Sequence, residues 1–191
     1  MKTRGIVSLV LGMSFYLGGV MAQQVTDPLS HPWVKIADPV TGLEASFPQS
    51  PIEMTYDLPF TNTPPTGQLH LYSSPVPHGV LVSGILVSST VTADWLQEKN
   101  FKNFFNSIVV PRLFYYPKVF KQNQSFQVQS NKDLLTFDVT YQDHQTTKQM
   151  NGKALVKNHM IYFAFYLASQ QTFDPQLLDY FMQSIHVNPS K

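Results

Sequence analysis

Apolar and polar positions alternate along the first half of the chain in a way that predicts strands before any helix. Leu43, Ala45 and Phe47 alternate with Glu44 and Ser46, and Pro48 closes that run. Ile52, Met54 and Tyr56 alternate with Glu53, Thr55 and Asp57, the pattern of a half-buried strand. Thr63-Pro64-Pro65-Thr66-Gly67 and Pro75-Val76-Pro77-His78-Gly79 are turns by composition, with a strand from Leu69 to Ser73 between them. Val80 to Val87 is apolar at both alternations, as a central strand covered on two faces should be. Gly84 inside it implies a bulge or a close packing contact. Thr92 is then placed to cap a helix with Asp94 in its first turn, near the positive end of the helix dipole. Phe101, Phe104, Phe105 and Ile108 keep the spacing of one buried stripe, and Pro111 predicts an end at or before Val110.

The second half repeats the order. Phe126/Val128 and Leu135/Phe137/Val139/Tyr141 run at period two, with Ser130-Asn131-Lys132-Asp133 as the turn between them. Lys148 to Val156 and Ile161 to Ala168 form another hairpin around Asn158-His159, and the later strand is apolar on both faces. Asp174-Pro175 marks a helix start, with Leu178, Phe181, Met182 and Ile185 as its buried stripe. Strands, helix, strands, helix, joined by short hairpin links, give an α+β sandwich. Its sheet is mainly antiparallel, with helices packed on both faces. Residues 33–191 read as a single domain without an internal repeat.

The N-terminus follows a different plan. Lys2 and Arg4 precede 15 uncharged residues from Ile6 to Val20, and Val20-Met21-Ala22 supplies modest side chains at a cleavage site. This is the layout of a cleavable signal peptide over residues 1–22, with a flexible, Pro-containing lead-in over 23–32. The apolar stretch is shorter than the roughly 20 residues a membrane span needs. The expected address is therefore periplasmic or extracellular, with no stable span after cleavage.

Composition narrows the chemistry. The chain has 191 residues, with 13 Lys+Arg against 12 Asp+Glu, while sixteen Gln and nine Asn match the charged residues in number. Much of the wet surface is thus neutral amide. No basic run exists to hold a phosphate backbone, so nucleic acid is not an expected partner. With no Cys there is no disulfide, thiolate metal ligand or thiol nucleophile. Histidines at 31, 70, 78, 144, 159 and 186 make no HxH, HxxxH or HExxH spacing, so no metal site is expected. Ser83-Gly84 lacks the preceding Gly of a nucleophile elbow, since Leu81 stands there. Glu53 and Asp57 share a strand face, but about 13 Å separates their backbones at 3.3 Å per residue, too far for a glycosidase pair. No Gly-rich phosphate loop is present. The residues name no catalytic set and no cofactor.

Three segments carry a family resemblance. Gly42-Leu43-Glu44-Ala45-Ser46-Phe47-Pro48-Gln49-Ser50-Pro51 resembles the opening Gly-Phe-Ser-Val-x-Phe-Pro-Gly-x-Pro of small exported bacterial domains with a PsbP/Mog1-like fold, with Gln49 in place of a Gly. Gly152-Lys153-Ala154 sits where those domains often have Gly-x-Ala in a late strand. The run from Asp179 to Val187 is similar to their closing helix. The resemblance implies a central antiparallel sheet between helical layers. Understood members mostly bind other proteins, photosystem II in one branch and a small GTPase in another, so it also implies a noncatalytic binding role.

The expected function is accordingly an exported protein that binds an envelope or extracellular protein. A small-ligand or glycan-binding module is the alternative, recognisable by a cleft joining Trp33, Tyr115 or Tyr116 to Asn and Gln side chains. An unrecognised hydrolase, joining His70 or His159 to a serine and a carboxylate, stands third. The candidate partner-binding loop is Arg112 with Phe114, Tyr115 and Tyr116, because Arg and Tyr are favoured at interfaces.

Overall fold

The computed structural model describes residues 27–58, 67–113, 124–131, 134–143 and 145–188. Among these described residues ten strands make two sheets. Strands β3 (Ile52–Leu58), β4 (Gly67–Val76), β5 (Gly79–Val87), β6 (Gln124–Asn131), β7 (Leu134–Asp143), β8 (Thr146–Lys157) and β9 (Met160–Ser169) form the larger sheet in the order β3-β4-β5-β9-β8-β7-β6. Strands β1 (Val34–Ala37), β2 (Leu43–Phe47) and β10 (His186–Val187) form the smaller one, in the order β1-β2-β10. Every neighbouring pair is antiparallel. The two runs that are apolar at both alternations, β5 and β9, pair with each other at the centre, as two-sided burial requires.

One face of the larger sheet is covered by helix. α1 (Glu98–Phe104) passes through a π turn (Phe105–Val109) into α2 (Val110–Leu113). The predicted stripe of Phe101, Phe104, Phe105 and Ile108 is fully buried there. Phe101 and Phe105 lie 5.2 and 5.4 Å from the Phe137 ring, in the tilted geometries that aromatic quadrupoles favour. Two details of this helix differ from expectation. It does not end before Pro111: Val110 N–H reaches back five residues to Phe105 O, and the chain stays helical to Leu113. The wider π turn makes room for a ring that would otherwise press on the carbonyl four residues back. Nor does the helix begin at Thr92, whose side chain makes no capping bond. A 3₁₀ turn over Ala93–Leu96 comes first, Gln97 returns to extended backbone, and α1 starts at Glu98.

The opposite face is covered by α3 (Pro175–Ser184) together with the small sheet, so only one of its two covering elements is a helix. Asp174 caps α3, its Oδ1 accepting from Gln176 N–H at 2.9 Å and Leu177 N–H at 3.2 Å, and Pro175 fills the first turn. Leu177 and Phe181 are the fully buried residues of α3, whereas Leu178, Met182 and Ile185 are only half-buried. Gly84 is a packing contact and not a bulge: its register with Leu71 and Phe163 is unbroken, and an added Cβ would meet Phe163 Cζ at 2.3 Å. Gly42 takes a left-handed φ of 74°, which lets its carbonyl accept from Asn188 N–H at 2.9 Å and ties β2 to the chain's end. Gln49, at the Gly position of the opening motif, donates from Nε2 to Pro75 O at 3.0 Å.

Candidate binding cleft

The covering layer stops short. The small sheet and α3 bury the inward residues of β4, β5 and β9, among them Tyr72, Leu81, Ile85, Tyr162 and Tyr166. On the same face, β6, β7 and β8 present mainly polar side chains instead, Leu134 and Leu155 apart. Antiparallel register sets these in rows: Gln127 faces Asp138, which faces Asn151, and Gln129 faces Thr136, which faces Lys153. Period two sends Phe126, Leu135, Phe137, Val139 and Met150 of these strands to the helical core, so their alternate residues must all emerge on the other side.

Leu178, Asp179 and Met182 of α3 form the wall beside this floor, enclosing a cleft of about 330 Å³. That volume lies at the lower end of ligand-sized sites. Asn151 Nδ2 donates to Asp138 Oδ2 at 2.8 Å, and Gln149 Nε2 donates to Asn151 Oδ1 at 2.8 Å. The bonds fix the amide of Asn151 in one orientation and aim the Asp138 carboxylate along the floor. Gly152 is a close packing contact: an added Cβ would meet Phe137 Cζ at 2.4 Å and Ala164 O at 2.5 Å, so the strand lies directly on the aromatic core there. The result is a concave surface of amides, a hydroxyl, two carboxylates and one ammonium, with two apolar side chains at its wall.

The sequence-predicted residues lie elsewhere. Phe114, Tyr115 and Tyr116 fall outside the described residues. Arg112 donates from Nη1 to Ile108 O at 2.7 Å, and its guanidinium lies 5.5 Å from the centre of the Tyr56 ring. Trp33 packs edge-on against Tyr180 at 4.6 Å and donates from Nε1 to Pro28 O at 2.8 Å, away from the cleft lining. The alternation in β6–β8 was visible in the sequence, but which polar residues meet depends on register, and α3's place above them depends on the fold.

Other polar groups serve the fold. Tyr72 O–H donates to Asp38 Oδ2 at 3.3 Å and Tyr162 O–H to Thr41 O at 2.6 Å, fixing the turn between β1 and β2. Burial pushes the Tyr72 phenol well above its ordinary pKa, with the charges of Asp38 and Glu53 adding to it; Tyr162 and Tyr166 are raised mainly by burial as well. The Lys35–Glu44 pair at 2.6 Å is the one salt bridge among the described residues, and its hydrogen bond holds the Glu44 carboxyl below the usual range. His70 Nδ1 lies 3.4 Å from Thr55 Oγ1 and His159 Nδ1 3.1 Å from Val91 O. Among the described residues no three His, Asp or Glu side chains gather closely enough to hold a metal ion, and no helix is long and apolar enough to cross a membrane.

These features define an α+β sandwich in which, among the described residues, nothing covers one half of one face of the larger sheet. No protein-family model matches the sequence, and no curated protein does. Among solved structures the chain is similar to PsbP (CyanoP) of the cyanobacterium Synechocystis sp. PCC 6803, with 12% identity and a TM-score of 0.48 over 90% of this chain and 99% of that one. It is also similar to PA94, a protein of unknown function from Pseudomonas aeruginosa, with 11% identity and a TM-score of 0.36 over 72% of this chain and 98% of that one.

Proposed function

We propose that the chain is a noncatalytic exported protein that binds another protein in the envelope or outside the cell, and that the cleft under α3 is its principal contact surface. The observation that carries this reading is the uncovered half-face of β6–β8. It is polar, concave and internally hydrogen-bonded, and it lies against a sheet whose other half is covered. A fixed array of donors and acceptors with an apolar wall offers orientation at the centre and area at the side, as protein interfaces do. Export is supported by Lys2 and Arg4 ahead of the short apolar run to Val20-Met21-Ala22. The noncatalytic part is supported by the partners of His70 and His159, which are a threonine hydroxyl and a backbone carbonyl in place of a serine and a carboxylate. Arg112 with Phe114, Tyr115 and Tyr116 is proposed as a second contact.

A photo-crosslinking residue at Asp179 or Lys153, introduced in intact cells, tests the reading. The expected product is one discrete adduct from either position and none from Lys99, on the exposed side of α1. Adducts spread over bulk envelope proteins, or equal adducts from Lys99, would contradict it. The cleft's ligand-like volume and amide floor also favour a second reading, capture of a small polar ligand. A saccharide panel that raises the melting temperature, with the rise lost in Asn151→Ala, would select that reading over the first.

A further inference from the structure

The two edges of the larger sheet are treated differently. At β3 the outward residues include Glu53 and Asp57, both exposed, and charge on an edge strand discourages pairing with another strand. At β6 the sequence is Gln-Ser-Phe-Gln-Val-Gln-Ser-Asn over Gln124–Asn131, with no charge, no proline and no glycine. Its pairing with β7 runs without interruption from end to end, so no bulge turns the edge away. Among the described residues no strand covers the outer side of β6. Eight residues of neutral, unbroken edge are an open template for strand addition.

We infer that the occupant of this edge is the β6 strand of a second copy of the chain, joined antiparallel about a two-fold axis at Gln127. Self-pairing makes each residue near the axis face itself or a close neighbour, so any charge there would meet its own sign. β6 has none, whereas the same operation at β3 would bring carboxylates together. With Gln127 on the axis, Gln127 faces its counterpart and Ser125 faces Gln129 on the cleft side, while Phe126 faces Val128 on the helical side. The first two sets are amide and hydroxyl groups able to bond to each other. The third is an aromatic paired with a β-branched residue, a favourable cross-strand combination. The axis stands normal to the sheet, so both clefts open on the same side, with Gln127 and Gln129 of each copy forming a shared rim. The contact is a strand edge and buries less than a standard interface, which makes the dimer weak and concentration-dependent.

This goes beyond the partner-binding reading and needs no partner, so either can fail alone. The test is sedimentation velocity on the protein as isolated from cells, up to about 1 mM, the range that reveals weak association. Wild type should pass from monomer to dimer. Gln127→Lys and Gln127→Glu, each at an exposed position, should keep the wild-type melting curve and raise the dissociation constant roughly fivefold or more. An equimolar mixture of the two variants should restore association. A wild type that stays monomeric throughout, charge variants that dimerise like wild type, or a mixture that fails to recover would each overturn the inference. A monomer whose β6 amides are protected only by a partner would assign the edge to that partner instead.

Discussion

Tyr72, Tyr162 and Tyr166 are phenols held neutral by burial beneath the small sheet and α3, with the charge of Asp38 near the first two adding to the effect. An unfolded phenol ionises near pH 10. The folded chain binds those protons more tightly, so the associated stability is complete below about pH 10 and is lost as the pH rises through the raised folded range. Tyr72→Phe should cost about 1 kcal/mol at neutral pH, for the bond to Asp38. It should also lose less stability than wild type between about pH 9 and pH 11. Urea denaturation at the two pH values checks this, and parallel losses in both proteins would be the contrary outcome. None of it was legible in the sequence, where Tyr72 is one aromatic in an alternating run and Asp38 lies 34 positions away. Gly84 is the intermediate case. Its residue type announced a local constraint, but choosing packing over a bulge required the neighbouring Phe163 and Leu71.

Elements were more legible than contacts. Asp174-Pro175 marks the start of α3 because the cap is local, a carboxylate accepting from N–H groups two and three residues on. Asp174→Ala should therefore destabilise the protein by about 1 kcal/mol, seen as a lower denaturation midpoint with an unchanged m-value. A loss near zero would mean that Pro175 and the packing of Leu177 and Phe181 set the helix start unaided. The buried stripe of α3 lies one step around the helix from the expected one, since Leu177 faces the core while Leu178 and Met182 face the cleft. Periodicity gives the width of an apolar stripe but not which flank is covered. The helix runs past Pro111 for a related reason: proline forbids a regular α-turn there, and the π turn at Phe105–Val109 is the local escape.

At the scale of the molecule, the antiparallel α+β sandwich followed from the pattern, because hairpin links and two doubly apolar strands leave few arrangements. The cleft did not, because Gln127, Asp138, Asn151, Lys153 and Asp179 are brought together by four separate elements. Amide hydrogen exchange, on the protein with and without the partner recovered by crosslinking, reads out whether the cleft is the contact surface. Added protection should concentrate in β6–β8 and in α3. Protection confined to the α1–α2 layer, with β6–β8 and α3 unchanged, would contradict the assignment of the cleft as the contact surface.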